Sequence, residues 1–287
     1  MALISFLSDF GTADEFVGVV HAVIARLTPS ARVVDVTHQI PVHDVACGAA
    51  TLARSLPWLV PGVVLAVVDP GVGTSRRAVA IEAPGAILVG PDNGLLVPAV
   101  ARLGGAVAAV ELKERSPTPQ LQGDVDRHGG LRQAGRSPGS GVTFDGRDVF
   151  APAAARASTG IPIEALGDPV DPASLVSLSL PTPDFEGSGA IRGVVSWIDS
   201  FGNAALNIDL EALCFARSCR VTIRMPAGPL ELGSLDVVGS YEEIGNDRVA
   251  LVVDSYGMLS VCAYKSSAAR TLGVTPGVDV WLHPKVT

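Results

Sequence analysis

Val63-Val64-Leu65-Ala66-Val67-Val68-Asp69-Pro70-Gly71-Val72-Gly73-Thr74-Ser75-Arg76-Arg77 is the stretch from which the fold can be read. Six apolar residues run without alternation and stop at a carboxylate. A Pro-Gly-Val-Gly turn follows, then two arginines. An unbroken Val/Leu/Ala run reads as a strand buried on both faces, the habit of parallel sheets covered by helices. A carboxylate where such a strand ends stands at the rim where α/β sheets bind ligands. The plainer reading of these residues alone is a tight turn with a solvated Asp and a surface Arg pair.

On both sides of this stretch, strand-like and helix-like segments alternate. Leu3 to Leu7, Arg32 to Val36, Ala78 to Ile81 and Ile87 to Val89 read as further strands. Asp14 to Leu27 places Phe16, Val19, Val20, Val23, Ile24 and Leu27 at helical spacing and ends before Pro29. Asp44 to Leu56 carries Val45, Ala49, Leu52 and Ala53 on one face and stops at Pro57. This alternation predicts an α/β domain with a central, mostly parallel sheet. Arg115 to Gly141 breaks the pattern with Gly, Pro, Ser and charge, and reads as a mobile loop. Helix is expected again over Val149 to Ala157. Prolines 169, 172, 181 and 183 lie in a Ser/Asp/Gly-rich stretch that reads as an interdomain linker. Beyond it come short segments divided by turn residues: Ile191 to Trp197, Arg220 to Met225, Val249 to Val253 and Leu259 to Ala263. These predict a small antiparallel β-barrel. The division expected is an α/β domain over 1–180 and a barrel domain over 190–287.

The 287 residues are enough for two domains, and a 48% hydrophobic content is enough for two cores. A net charge of −8 disfavours a nucleic-acid partner, which calls for a basic face. No apolar run approaches a membrane span, and Met1-Ala2-Leu3-Ile4-Ser5-Phe6 lacks a basic leader, so the expected place is the cytoplasm. Cys47, Cys214, Cys219 and Cys262 fall at no zinc-site spacing and read as reduced thiols; no metal site and no cofactor are expected.

Polar clusters recur at the expected strand ends: Ser8-Asp9-Phe10-Gly11-Thr12 with Asp14, Asp35-Val36-Thr37-His38, Gly90-Pro91-Asp92-Asn93-Gly94 and Thr143-Phe144-Asp145-Gly146-Arg147-Asp148. Each has a plain structural role available. Asp9 or Asp14 can cap a helix, Asp92-Asn93-Gly94 can be a turn, and His38 can be a hydrogen-bonded core residue. With Ile198-Asp199-Ser200-Phe201-Gly202-Asn203, these strings resemble, in order, the S-adenosylmethionine (SAM) hydroxide adenosyltransferase family. Its members are adenosine-forming hydrolases related to the SAM-dependent fluorinase and chlorinase. Asp-Pro-Gly-Val-Gly-Thr-x-Arg-Arg together with Gly-Pro-Asp-Asn-Gly is the most specific part of the likeness; it weakens over the last 80 residues.

The resemblance implies hydrolysis of SAM to adenosine and L-methionine. It also implies a homotrimer, each site completed by a neighbour's barrel domain. Asp69 stands where the halogenases have Tyr, which favours water as nucleophile. Asp69 and Arg76 match the family's catalytic pair. Asp145 stands where the hydrolases carry His, and enters as the third catalytic candidate. For substrate binding, Asp9 matches a ribose contact, Asp14 and Asp199 contacts to the methionine ammonium, and Asn203 an adenine-edge contact. Phe144 belongs to the matching string, Phe201 to an aromatic wall, and Ser255 resembles a contact to the methionine carboxylate. His43 replaces a halogenase Trp, and His128 is a possible spatial substitute for the missing His. A SAM- or adenosine-binding protein with little turnover, or a halogenase, remain alternatives.

Overall fold

The computed structural model describes residues 3–113, 143–187, 189–213 and 216–284. The expected mobile loop, with His128, and also Cys214 lie outside the described residues. The chain divides into two compact units, Met1–Leu180 and Pro181–Thr287.

Unit 1 is built on a seven-stranded sheet: β1 (Leu3–Ser8), β2 (Arg32–Thr37), β3 (Gly62–Val67), β4 (Ala78–Ala83), β5 (Ala86–Pro91), β6 (Ala108–Leu112) and β7 (Gly167–Pro169), in the order β2-β1-β3-β5-β4-β6-β7. The quoted apolar run is β3, paired parallel to β1 and β5. Its side chains alternate between two cores. Val63, Leu65 and Val67 pack with α1 (Phe16–Leu27) and α4 (Ala151–Ala157). Val64, Ala66 and Val68 pack with α2 (Val45–Ser55) and α3 (Val97–Arg102). Burial on both faces is why polar residues find no place in the strand. Parallel pairing holds across β2-β1-β3-β5; β4 turns back on β5 through a tight hairpin, and β4, β6 and β7 pair antiparallel.

Two boundaries differ from expectation. The first helix starts at Phe16, not Asp14, and follows Glu15, whose side chain makes no capping bond, so neither Asp9 nor Asp14 is a cap. Residues 169–178 are not a linker: they lie within unit 1 and are pinned to it. Arg77 donates to Asp92 Oδ2 (Nε, 2.8 Å), to Ser174 Oγ (Nη1, 3.0 Å) and to the Ser174 carbonyl (Nη2, 2.5 Å). Asp92 Oδ1 accepts from the Val176 amide at 2.8 Å. Side-chain bonding over such sequence distances leaves no hydropathy signal, whereas the proline and serine content does.

Unit 2 is the expected barrel. Its strands are β8 (Asp184–Phe185), β9 (Ile191–Ile198), β10 (Ala204–Asp209), β11 (Ser218–Met225), β12 (Gly228–Val238), β13 (Val249–Val253), β14 (Met258–Ala263) and β15 (Asp279–Pro284). Pairing runs β9-β10-β14-β13-β12-β11-β15 and closes back on β9, a seven-stranded barrel with β8 appended. One pair, β12 with β13, is parallel; the rest are antiparallel. Cys219, Val221 and Ile223 face its core while Arg220 and Arg224 face out, the period-two habit of a half-buried strand. Cys47, Cys219 and Cys262 are free thiols, and burial pushes Cys219 up to about 11 and Cys262 up to about 12. No described helix is long and apolar enough to cross a membrane.

Candidate active site

Because β1, β2, β3 and β5 run parallel, the residues following them (Asp9, His38, Asp69 and Asp92) emerge at one edge of the sheet. β4 runs the other way, so the arginines just before it return to the same edge. The eight-residue excursion from Asp69 to Arg76 is built of successive turns. The Val72 amide donates to the Asp69 carbonyl at 3.3 Å, and both the Thr74 amide (3.2 Å) and hydroxyl (2.7 Å) donate to the Gly71 carbonyl. Thr74 Oγ1 then accepts from the Arg76 amide at 3.3 Å. The chain is thereby folded back so that the Arg76 side chain meets Asp69.

Arg76 grips Asp69 with a two-pronged fork, Nε to Oδ1 at 3.0 Å and Nη2 to Oδ2 at 2.5 Å. The same Nη2 donates to Asp145 Oδ2 at 2.7 Å. All three side chains are buried, with 9%, 6% and 8% exposure for Arg76, Asp69 and Asp145. One guanidinium therefore bridges two carboxylates, the bidentate geometry that Arg permits and Lys does not. Burial holds the Asp69 carboxyl above the ordinary aspartate range. The charge and hydrogen bonds of Arg76 pull it down, the Asp145 charge pushes it up, and the Gly71 amide lowers it.

Asp145 is positioned by an unusual helix start. The expected helix over Val149 to Ala157 begins earlier, as a wide π-type turn over Gly146–Phe150 that leads into α4. Such turns are frequent at functional sites. Gly146 is required there: a Cβ would lie 2.9 Å from Phe10 Cζ and 3.0 Å from Phe144 Cε2. Its absence leaves room for Phe144 to meet Phe10 and Phe16 edge-to-face, with ring centroids 5.8 and 5.0 Å apart, while Phe10 and Phe16 lie tilted to each other at 6.0 Å. Those rings, with Val67, Val72, Asp9, His43, Asp69 and Asp145, line a cavity of about 300 Å³. Asp9 is held in place by the His43 amide, which donates to its Oδ2 at 2.9 Å. His43 adopts φ 67°, a left-handed conformation that costs a non-glycine residue about 1 kcal/mol or more. Nothing in the sequence pattern announced this backbone contact.

The remaining candidates are distributed differently. Asp14 lies exposed in the loop before α1 and does not line the cavity. Asp199, Phe201 and Asn203 form a turn in unit 2. Asp199 Oδ1 accepts from the amides of Phe201 and Asn203, both at 2.9 Å, and Oδ2 accepts from Asn203 Nδ2 at 2.8 Å. Gly202 in this turn has φ 86°, and a Cβ on it would collide with Ser267. Within unit 2, Asp199 and Phe201 line a second cavity of about 570 Å³, and Phe201 is 79% exposed. Ser255 sits in the exposed β13–β14 turn. His38 is buried, with Nδ1 2.8 Å from Ser8 Oγ. Asp92 and Asn93 are braces: Asn93 Nδ2 donates to the Val68 carbonyl at 2.8 Å, tying the end of β3 to the turn after β5.

Comparison with known proteins places these units. Residues 4–167 match the family model for the SAM hydroxide adenosyltransferase N-terminal domain, and residues 193–281 match that for the C-terminal domain. The chain is 44% identical over 277 residues to the (R)-S-adenosyl-L-methionine hydrolase of Salinispora tropica, covering 96% of this chain and 95% of that one. It is 38% identical over 286 residues to the protein of that name from Thermus thermophilus, covering 98% and 100%. A fluorinase from an Actinoplanes species is 27% identical over 309 residues, covering 97% and 96%. A crystal structure of an uncharacterized conserved protein from Thermotoga maritima superposes with a TM-score of 0.81 at 29% identity, covering 98% of this chain and 99% of that one.

Proposed function

The chain belongs to the SAM hydroxide adenosyltransferase family, and from that premise we propose that it hydrolyses S-adenosyl-L-methionine to adenosine and L-methionine. The relatives' name carries the (R) form at sulfur, and the proposal takes that epimer as substrate. The observation that carries the reading is the Arg76 fork joining Asp69 and Asp145 at an aromatic-walled cavity.

The chemistry asks little of acid catalysis. Water oxygen attacks the ribose 5′ carbon, the C5′–S bond breaks, and its electron pair returns to sulfur as a neutral thioether. The water proton passes to a carboxylate and then to solvent. No cofactor enters the step, because the sulfonium is its own leaving group. What must be supplied is an oriented water in a dry pocket. Asp69 serves as the acceptor that holds this water, and its raised pKa makes it a stronger base than an exposed aspartate. Arg76 orients Asp69 and keeps an ionised fraction available. Asp145 shares the guanidinium and thereby sets how much of that charge Asp69 receives.

Asp9 takes the ribose hydroxyls, as an ionised two-oxygen acceptor suits, and Phe144 walls the reacting end. Asp14 and Asp199 receive the methionine ammonium, Ser255 its carboxylate. Phe201 stacks on the purine. Asn203 uses its Oδ1 at the adenine edge, since its Nδ2 donates to Asp199. The proposal includes the homotrimer implied by the family, in which contacts from unit 2 come from a neighbouring subunit; light scattering then finds three times the 29.4 kDa chain mass.

The test is incubation of purified protein with each SAM epimer in ¹⁸O-water, with chromatography and mass spectrometry of the products. Adenosine labelled at the 5′ hydroxyl, formed faster from the (R) epimer, supports the proposal. No adenosine above a heat-killed control across roughly pH 6–9 overturns it, and a halide-dependent 5′-halo-adenosine replaces water as nucleophile. The second reading, binding with little turnover, is favoured by the carboxylate at Asp145 where the family hydrolases have His. An Asp145→His variant decides between them: a tenfold or greater rise in turnover favours the binding reading, an unchanged rate the hydrolase.

A further inference from the structure

Outside that cavity, unit 1 brings together His21 from α1, Asp35 from β2 and His38 from the turn after it. We propose that His21 Nε2, Asp35 Oδ1 and His38 Nε2 hold one divalent transition-metal ion of the zinc class.

The geometry is convergent. The three ligand atoms all lie within 4.8 Å of one another. His21 Nε2 is 2.8 Å and His38 Nε2 3.1 Å from the same carboxylate oxygen. His38 is only 5% exposed, and its Nε2 makes no hydrogen bond; what faces it is Asp35 Oδ1, at an ion-pair distance of 3.1 Å. A buried ring nitrogen without a hydrogen bond is costly, and a cation held between it and the carboxylate would satisfy both. The second ring nitrogen of His38 has the support typical of a metal ligand. Nδ1 lies 2.8 Å from Ser8 Oγ, and with Nδ1–H donating there the Nε2 lone pair is left for a metal. Ser8 Oγ also accepts from the Phe10 amide at 3.3 Å, which fixes its position.

Both rings are held by packing. Phe6 has its ring centroid 4.6 Å from that of His38, edge-on, and 6.1 Å from that of His21. Asp35 pairs with Phe6 in the parallel ladder, and the register shifts just beyond it, between Phe6 and Leu7. Two imidazoles and a carboxylate are ligands for zinc-like ions, not for Mg²⁺ or Ca²⁺, which seek oxygen. The outer side is open, with side-chain exposure of 35% for His21 and 42% for Asp35, so an ion can enter and keep a water as fourth ligand. Sequence spacing hid the set: one ligand lies on a helix, one on a strand and one on a loop, joined only by the α1–β2 crossover.

The test uses the full chain, stripped with chelator and titrated with Zn²⁺ by calorimetry and with Co²⁺ by visible absorption. One equivalent of Zn²⁺ per chain, a rise in melting temperature, and Co²⁺ bands of low-coordinate character support the site. Ser8→Ala weakens binding about tenfold through the lost support of His38, and Mg²⁺ shows no binding. His21→Ala and Asp35→Asn carry the decisive arm, since both positions are part-exposed and their variants fold, whereas truncating buried His38 opens a cavity. Loss of the stoichiometric site in both supports the proposal. Absence of binding by folded wild-type protein, or equal binding by the variants, overturns it and leaves the trio as a hydrogen-bonded clasp between α1 and β2.

Discussion

Replacing Arg76 with Ala removes three charge-assisted hydrogen bonds and leaves the carboxylates of Asp69 and Asp145 facing each other in a buried setting. Breaking a buried ion pair by deleting one partner costs roughly 3–5 kcal/mol, mostly because the remaining charge is left uncompensated. Taking about 4 kcal/mol, and about 2–4 °C per kcal/mol for a domain of this size, the melting temperature of unit 1 falls by about 8–16 °C near neutral pH. The deficit depends on pH in a definite direction. Asp69 already sits above the ordinary range, and loss of the neighbouring cation raises it further. A carboxyl whose folded-state pKa is raised supports the fold below its unfolded value and withdraws that support as pH climbs through the folded value. The variant is therefore closest to wild type in mild acid and furthest from it at pH about 7.5. Differential scanning calorimetry at several pH values reads both effects. Arg76→Lys, whose ammonium cannot fork, falls between the two. A melting temperature within about 2 °C of wild type at neutral pH, or a deficit that does not change with pH, refutes the bridging role given to Arg76.

Asp69→Asn lowers SAM turnover by about 10²–10⁴-fold. It leaves the melting temperature at neutral pH equal or higher, because a carboxylate disfavoured by burial has been neutralised; a clear drop in stability contradicts the sign assigned to Asp69. In the wild type the rate falls as pH drops through the raised Asp69 value, and this acid limb is missing from the residual activity of the variant. Arg77→Ala strands the buried Asp92 carboxylate and releases Ser174, costing about 3 kcal/mol in urea unfolding and exposing residues 171–178 to protease. Phe201→Ala, at a 79% exposed position, leaves the stability of the isolated chain unchanged while raising KM for SAM roughly 2–10-fold through lost stacking; an unchanged KM removes Phe201 from the substrate site.

Much of the frame was legible in the residues. The Val63–Val68 run announced a strand buried on both faces, and Pro70-Gly71 its end. Asp44 was correctly read at the head of a helix, where its Oδ1 accepts the Cys47 amide at 2.9 Å. The barrel was visible as alternation between turns, although its parallel β12–β13 pair was not, since alternation reports a face and not a direction. The stretch around Pro169 and Pro172 misled because composition reports local chain habit, whereas Arg77 and Asp92 fasten it from almost a hundred residues away. Asp92-Asn93-Gly94, open as a plain turn, is a brace between strand ends.

The sequence by itself determined the α/β and barrel classes, many of the elements within them and the family, because burial periodicity and turn chemistry are local and the signature strings are contiguous. Only the tertiary structure decided which charges meet. Asp69 and Asp145 are 76 positions apart and share one guanidinium because β3 and the turn before α4 reach the same edge of the sheet. His21, Asp35 and His38 converge because a helix packs back over the strand that follows it. The physical reason is range: backbone preference and hydrophobic pattern act over a few residues and leave a trace in the string. A charge or a metal ligand finds its partner only through the packing that brings distant segments within a few ångströms.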